Sequence, residues 1–276
     1  MLGSGGGGDP YIGRLMAEQA MGENGTVPVV DIDALDDDAL VLPIAMMGAP
    51  TVMLEKFPSG REIPRLVEMM ERLTGKRVAA ILCIEAGGLN STIPFIAAAN
   101  MGLPIVDGDA MGRAFPELQM VSFTLGGLTA SPMAMVDDKG NVATFDTVSN
   151  SWSERLARAL TIEMGGAAMV SLYPATAGEM KPTLIRGSLG KAQRIGEIMA
   201  EHGAGACAAL AEAFDGVHLF QGRVGDVVGR SEGGFARARC ALRASAISAT
   251  ARSRLPFKTN FWRHARARPC WPPRLT

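Results

Sequence analysis

Two stretches of this 276-residue chain combine residue types that do chemistry at close spacing. The first is Ile105 to Glu117, IVDGDAMGRAFPE, which packs Asp107, Asp109, Arg113 and Glu117 into eleven residues, with Gly108 and Gly112 between them and Pro116 stiffening the exit. The second is Glu85-Ala86-Gly87-Gly88-Leu89-Asn90. Neighbouring carboxylates suit general acid–base work when burial raises the pKa of one of them. Asp107 or Asp109 fits the base, with Glu85 as the second carboxylate. Arg113 can neutralise developing negative charge or hold a substrate carboxylate. Asn90 and the N–H groups of Gly87 and Gly88 can bind a carbonyl oxygen. A third candidate is the run Gly5, Gly6, Gly7, Gly8 in MLGSGGGGDPY, whose free N–H groups ahead of a helix favour an anion or a carbonyl oxygen. It lacks the GK[ST] of a phosphate-binding loop and equally suits a flexible tail. Each acidic stretch alone also fits a solvated surface loop.

The elements around these stretches decide between the readings. Val78 to Ile84, VAAILCI, reads as a buried strand running straight into Glu85. Asn90 or Ser91 can cap a helix that runs through Phe95 to Asn100, and Leu103-Pro104-Ile105-Val106 is the end of the next strand. Val78 to Val106 is thus one βαβ unit, and a right-handed crossover puts Glu85 and Asp107 at the same edge of a parallel sheet, where α/β proteins carry ligands. Upstream, Pro10 opens a helix, Val27 to Val30 is a short strand, and Leu40 to Met47 is a buried one. Arg61 to Thr74 is an amphipathic helix closed by Gly75. Downstream, Met120 to Leu125 reads as a strand. Met133 to Val136 and Val142 to Phe145 form a hairpin around Asp137 to Asn141. Ser151 to Met164 is a helix with Leu156, Ala159, Leu160 and Met164 on its inner side, and Met169 to Leu172 is a strand. Gly187 to His202 is a helix with Leu189, Ala192, Ile195 and Met199 inward. Val217 to Phe220 and Val224 to Val228 are strands of a β-rich region. The fold class is α/β: a largely parallel or mixed sheet with flanking helices, then the start of a second, β-rich domain. The expected division is an α/β domain over 1–215, a β-rich start over 216–239 and an aberrant tail over 240–276.

Composition narrows the function classes. Hydrophobic residues make up 47% and charged residues 20%, as in an ordinary globular protein. No apolar run reaches the roughly 18 residues of a membrane span, and no signal sequence opens the chain, so a cytoplasmic protein is expected. Cys83, Cys207, Cys240 and Cys270 are scattered without a CxxC pair, against a disulfide framework or a zinc knuckle; Cys83, inside an apolar run, reads as core. His202, His218 and His264 stand apart from the acidic loops. The carboxylates leave a divalent metal open, so the cofactor is unknown, and Arg113 would compete with one. From Arg237 onward there are ten Lys or Arg and no acid, leaving residues 1–236 at a net −11. An acidic body is a poor partner for nucleic acid. The tail, rich in Arg, Ala and Pro, has the composition of a GC-rich gene read out of frame or of a disordered segment.

LGSGGGGDPY, Met47-Gly48-Ala49-Pro50 with Glu55-Lys56, EAGGLNS and VDGDAMGRAFPEL together resemble the family named for S-methyl-thiohydantoin desulfurase. The resemblance covers roughly residues 1–239 and includes SEGGFARAR at Ser231 to Arg239, which is similar to the family's junction with its second domain. It implies an α/β N-terminal domain and hydrolytic removal of methanethiol from a five-membered S-methyl-thiohydantoin ring. It also implies helical sequence before LGSGGGG and a full C-terminal domain after GGFAR, so the chain is expected to be truncated at both ends. The expected function is a hydrolase of a cyclic amide-like small molecule, without nucleic-acid or membrane partners and with a homo-oligomer open. The alternatives are a module that binds a small anionic metabolite without chemistry, and an inactive fragment of such an enzyme.

Overall fold

Nine residues without a charge, Leu40–Gly48, form strand β2 at the centre of an eight-stranded sheet. The computed structural model describes residues 10–48, 52, 61–217, 222–232, 235–244, 252–258 and 261–262. A strand apolar on every residue must be covered on both faces, and β2 is. Leu40, Leu42 and Ile44 enter one hydrophobic core, whereas Val41, Ala45 and Met47 enter a second on the opposite face. Burying one such Leu or Ile stabilises the fold by about 1.5–3 kcal/mol. The first core is closed by α2 (Glu62–Thr74) and α3 (Ile93–Met101), with α1 (Pro10–Asn24) packed on α3. Ile63, Leu66, Val67 and Met70 form the buried stripe of α2, and Gly75 ends that helix in the left-handed conformation.

One half of the sheet is parallel. β1 (Val29–Val30), β4 (Ile105–Val106), β3 (Val78–Cys83) and β2 lie in that order, each parallel to its neighbour. The C-terminal ends of β2, β3 and β4 therefore come out at one edge. On the other side of β2 the sheet turns antiparallel through β8 (Ala167–Ser171), β6 (Met133–Val136) and β7 (Val142–Phe145). The hairpin of β6 and β7 closes on Asp137, which accepts from the N–H groups of Lys139 and Asn141. The sheet is mixed, as the sequence predicts.

The remaining elements serve as brackets. β5 (Gly108–Asp109) pairs antiparallel with β10 (Ile185–Arg186), which leads into α7 (Ser188–His202). β9 (Ala175–Thr176) pairs with the start of β2 and is followed by α6 (Ala177–Met180). α8 (Ala206–Ala213) packs on α7. A separate antiparallel sheet follows, made of β11 (Gly222–Glu232), β12 (Phe235–Ala244), β13 (Arg252–Lys258) and β14 (Phe261–Trp262).

Three expectations need correction. Met120 to Leu125 is not a strand but contains the single turn α4 (Ser122–Leu125). Phe123 is buried while Leu125 is 90% exposed, and among the described residues no strand pairs with the segment, so its apolar alternation has nothing there to ladder against. α5 (Asn150–Glu163) buries Ser153, Glu154, Ala157 and Thr161, whereas Leu156 and Ala159 face solvent. α7 buries Ile198, and Met199 is exposed. Among the described residues no helix is long and apolar enough to cross a membrane.

Candidate functional site

The C-terminal ends of β2 and β3 and the last residues of β8 line a cavity of about 90 Å³. Gly48 closes the end of β2 at φ 142°, and a Cβ there would lie 2.2 Å from the carbonyl oxygen of Gly166, so the close approach of the two strands requires glycine. Apolar residues such as Met47, Met111, Leu118 and Leu172 supply about half of the wall. Four polar residues join them: Glu85, Asn90, Glu117 and Arg158.

Glu85 follows β3 and is 3% exposed. Its Oε1 accepts from Asn90 Nδ2 at 2.9 Å, while Oε2 is buried and has no hydrogen-bond partner among the described residues. Burial pushes its carboxyl up to about 7; the Asn90 bond opposes this and the nearby Asp109 charge adds to it. A carboxyl poised there exchanges protons at neutral pH, which is what a general base needs.

The two aspartates do not line the cavity. Asp109 is fully buried and accepts three hydrogen bonds: at Oδ2 from the Ala86 N–H (2.9 Å), and at Oδ1 from the Gly112 N–H (2.9 Å) and the Ser188 hydroxyl (3.0 Å). Asp107 Oδ1 accepts from the N–H groups of Leu189 (2.9 Å) and Gly190 (3.3 Å), and its carbonyl accepts from Gly187 N–H. Between them the aspartates bind the first turn of α7, where unpaired N–H groups and the helix dipole favour carboxylates. Gly112, at φ 60°, turns the chain so that its N–H reaches Asp109.

The structure thus brings Glu85, Asn90 and Glu117 to one cavity and uses Asp107 and Asp109 to hold the loops behind it. Glu117 accepts from Gln119 Nε2 at 2.6 Å. Arg113 is exposed and does not line the cavity. Gly87 and Gly88 are buried in the loop after Glu85 and are not part of the lining either. Gly5, Gly6, Gly7 and Gly8 lie outside the described residues, as does Glu55-Lys56. α1, which follows the glycine run, packs Gly13 so closely on Thr92 and Leu89 that a Cβ would lie 2.2 Å from the Thr92 hydroxyl.

Two site residues were not legible from the loops, because they come from α5. Arg158 lines the cavity; its guanidinium bonds Glu154 Oε1 at 2.9 Å and the carbonyl of Pro116 at 3.2 Å. Glu154 Oε2 accepts from Leu118 N–H at 3.0 Å, and burial raises its pKa against the pull of Arg158. The Leu118 carbonyl accepts from the Tyr173 hydroxyl at 3.3 Å. The Leu118 peptide is therefore held at both ends. Glu154 and Arg158, four apart on a helix whose buried face is polar, were the available signal. Among the described residues no three His, Cys, Asp or Glu cluster closely enough to hold a metal ion.

Comparison with known proteins follows the same outline. An X-ray structure of a protein from Chromobacterium violaceum superposes with a TM-score of 0.69 at 21% identity, covering 93% of this chain and 70% of that one. At that identity the likeness concerns the fold. No curated protein matches the chain. The family description "S-Me-THD-like, N-terminal domain" matches residues 1–147, and "S-Me-THD-like, C-terminal domain" matches residues 148–266. With its motifs, sheet and paired domain matches in agreement, the chain belongs to the S-Me-THD-like family, that of S-methyl-thiohydantoin desulfurase.

Proposed function

We propose that the cavity hydrolyses a five-membered S-methyl-thiohydantoin ring, with Glu85 rather than either aspartate as the base. The observation that carries this is the buried Glu85 at the cavity wall, one oxygen bonded and the other without a partner among the described residues. In the ionised form Glu85 takes a proton from water as the water oxygen bonds to the ring carbon that bears sulfur. The C=N electrons move onto the ring nitrogen, giving a tetrahedral centre. Arg158 supplies positive charge at the cavity and offsets the charge on that nitrogen. Collapse expels methanethiolate, which takes the proton held by Glu85, and the remaining hydroxyl proton passes to the ring nitrogen. The products are methanethiol and the hydantoin ring. The apolar wall of Met47, Met111 and Leu118 suits a neutral ring with an S-methyl group and shields the charged transition state from water.

Methanethiol release measured with a thiol reagent tests this on the whole chain. Glu85→Gln keeps the shape and the Asn90 bond but cannot take a proton, so turnover should fall by about 100-fold or more. In the wild type the rate should rise with pH through a midpoint of about 7, as Glu85 ionises. Full turnover by Glu85→Gln defeats the assignment.

A further inference from the structure

Asn90, in the turn Gly88–Ser91, completes the edge of β2 with its side chain. β3 pairs with β2 only up to Cys83, opposite Ile44, so on that side no strand among the described residues bonds the peptide groups of Met46. The Asn90 amide replaces one. Its Oδ1 accepts from Met46 N–H at 2.8 Å and its Nδ2 donates to the Met46 carbonyl at 3.2 Å. The second hydrogen on Nδ2 goes to Glu85 Oε1 at 2.9 Å. An Asn amide has two N–H donors, and both are taken.

We propose that Asn90 is a positioning residue, not a substrate ligand: it locks Glu85 to the end of β2 and leaves only Oε2 for the cavity, while Asp109 holds the Glu85–Ala86 peptide from behind. The proposal rests on reading Glu85 as the base. Its geometry is a carboxyl held between two supports, one on the sheet and one on the loop that carries α7. The supports act in opposite directions on the proton. A hydrogen bond from Asn90 favours the charged carboxylate, and the negative charge of Asp109 disfavours it. The other titratable or charged groups around Glu85 among the described residues are Cys83 on β3, Asp107 after β4, Glu117 in the following loop, and Glu154 and Arg158 on α5.

The test is the titration of Glu85 in the full chain labelled with ¹³C at the glutamate carboxyls, its resonance assigned by its absence in Glu85→Gln. Asn90→Ala should move the midpoint up and Asp109→Asn should move it down, each by about one pH unit. The acid limb of methanethiol release should move with it, and KM for the S-methyl-thiohydantoin should stay within about twofold in Asn90→Ala. A midpoint that stays put in Asn90→Ala, or a raised KM with kcat kept, overturns the proposal and makes Asn90 a substrate ligand. Should Asn90→Ala fail to fold, Asn90→Asp still accepts from Met46 and puts a carboxylate beside Glu85, so the midpoint must again rise; an unchanged one overturns the proposal. Should Asp109→Asn fail to fold, the wild-type Ala86 amide decides that half: it must be protected from hydrogen exchange, and an unprotected one overturns it. The two readings fail separately. If Glu85→Gln keeps turnover, the assignment of the base is wrong and the titrations still decide the positioning. If Glu85→Gln is inactive and neither titration moves, only the positioning is wrong.

Discussion

A carboxyl whose pKa is raised by burial stabilises the folded chain only while it holds its proton. Glu85 titrates at about 7 in the fold against 4.5 in the open chain. Between these values the folded state binds more protons than the unfolded one, so stability falls as pH rises through that window. The component is fully present below about pH 4.5 and lost above about 7. The gap corresponds to about 3 kcal/mol. Glu85→Gln removes it, so urea denaturation should show the variant gaining on the wild type from pH 5 to 8, with equal slopes of stability against pH ruling the account out. The same residue would then limit stability and drive turnover, a common conflict at active sites. The type of residue was legible in the sequence, but its role was not. Asp107, Asp109 and Glu85 look alike at strand ends. Only the partners separate them, and the ones that tie the aspartates to α7 lie about eighty residues away.

At the level of elements, α7 and α5 are the parts that turn a sheet edge into a cavity. α7 docks through its first turn onto Asp107 and Asp109. Asp107→Ala should cost about 1 kcal/mol, as other N-terminal caps do, and should expose the Leu189 and Gly190 amides to hydrogen exchange with kcat little changed. A large loss of kcat with those amides still protected would give Asp107 a chemical role. α5 presents the opposite case, a helix whose buried face is polar. Glu154→Leu removes the Glu154 carboxylate from the Arg158 guanidinium and the acceptor from Leu118 N–H. The expected loss is about 3–5 kcal/mol by urea denaturation, and a change below about 1 kcal/mol would mean that the pair is not structurally coupled. Periodicity located α2, β2, β3 and the β6–β7 hairpin because apolar residues fill their buried positions. It misplaced the inner face of α5 for the same reason in reverse: Ser153, Glu154 and Thr161 are buried there with their polar groups hydrogen-bonded, while Leu156 is left outside.

Across the whole molecule, the site exists because β2 belongs to two halves at once. Its first five residues pair with parallel β3 and its last five with antiparallel β8, and Ala45 to Gly48, beyond the pairing with β3, line the cavity. The same strands supply both cores alternately, which ties the two faces into one cooperative unit. Leu42 points into the core under α2 and α3, and Leu82 into the core on the other face. Truncating either to Ala should cost about 2–5 kcal/mol. If the sheet couples the faces, each variant should still unfold in a single transition, with circular dichroism and hydrogen exchange of the β3 amides giving the same midpoint. Two separate transitions in either variant would show that the faces fold independently. In that event the geometry of Glu85, set at the end of a strand shared by both cores, would depend on only one of them.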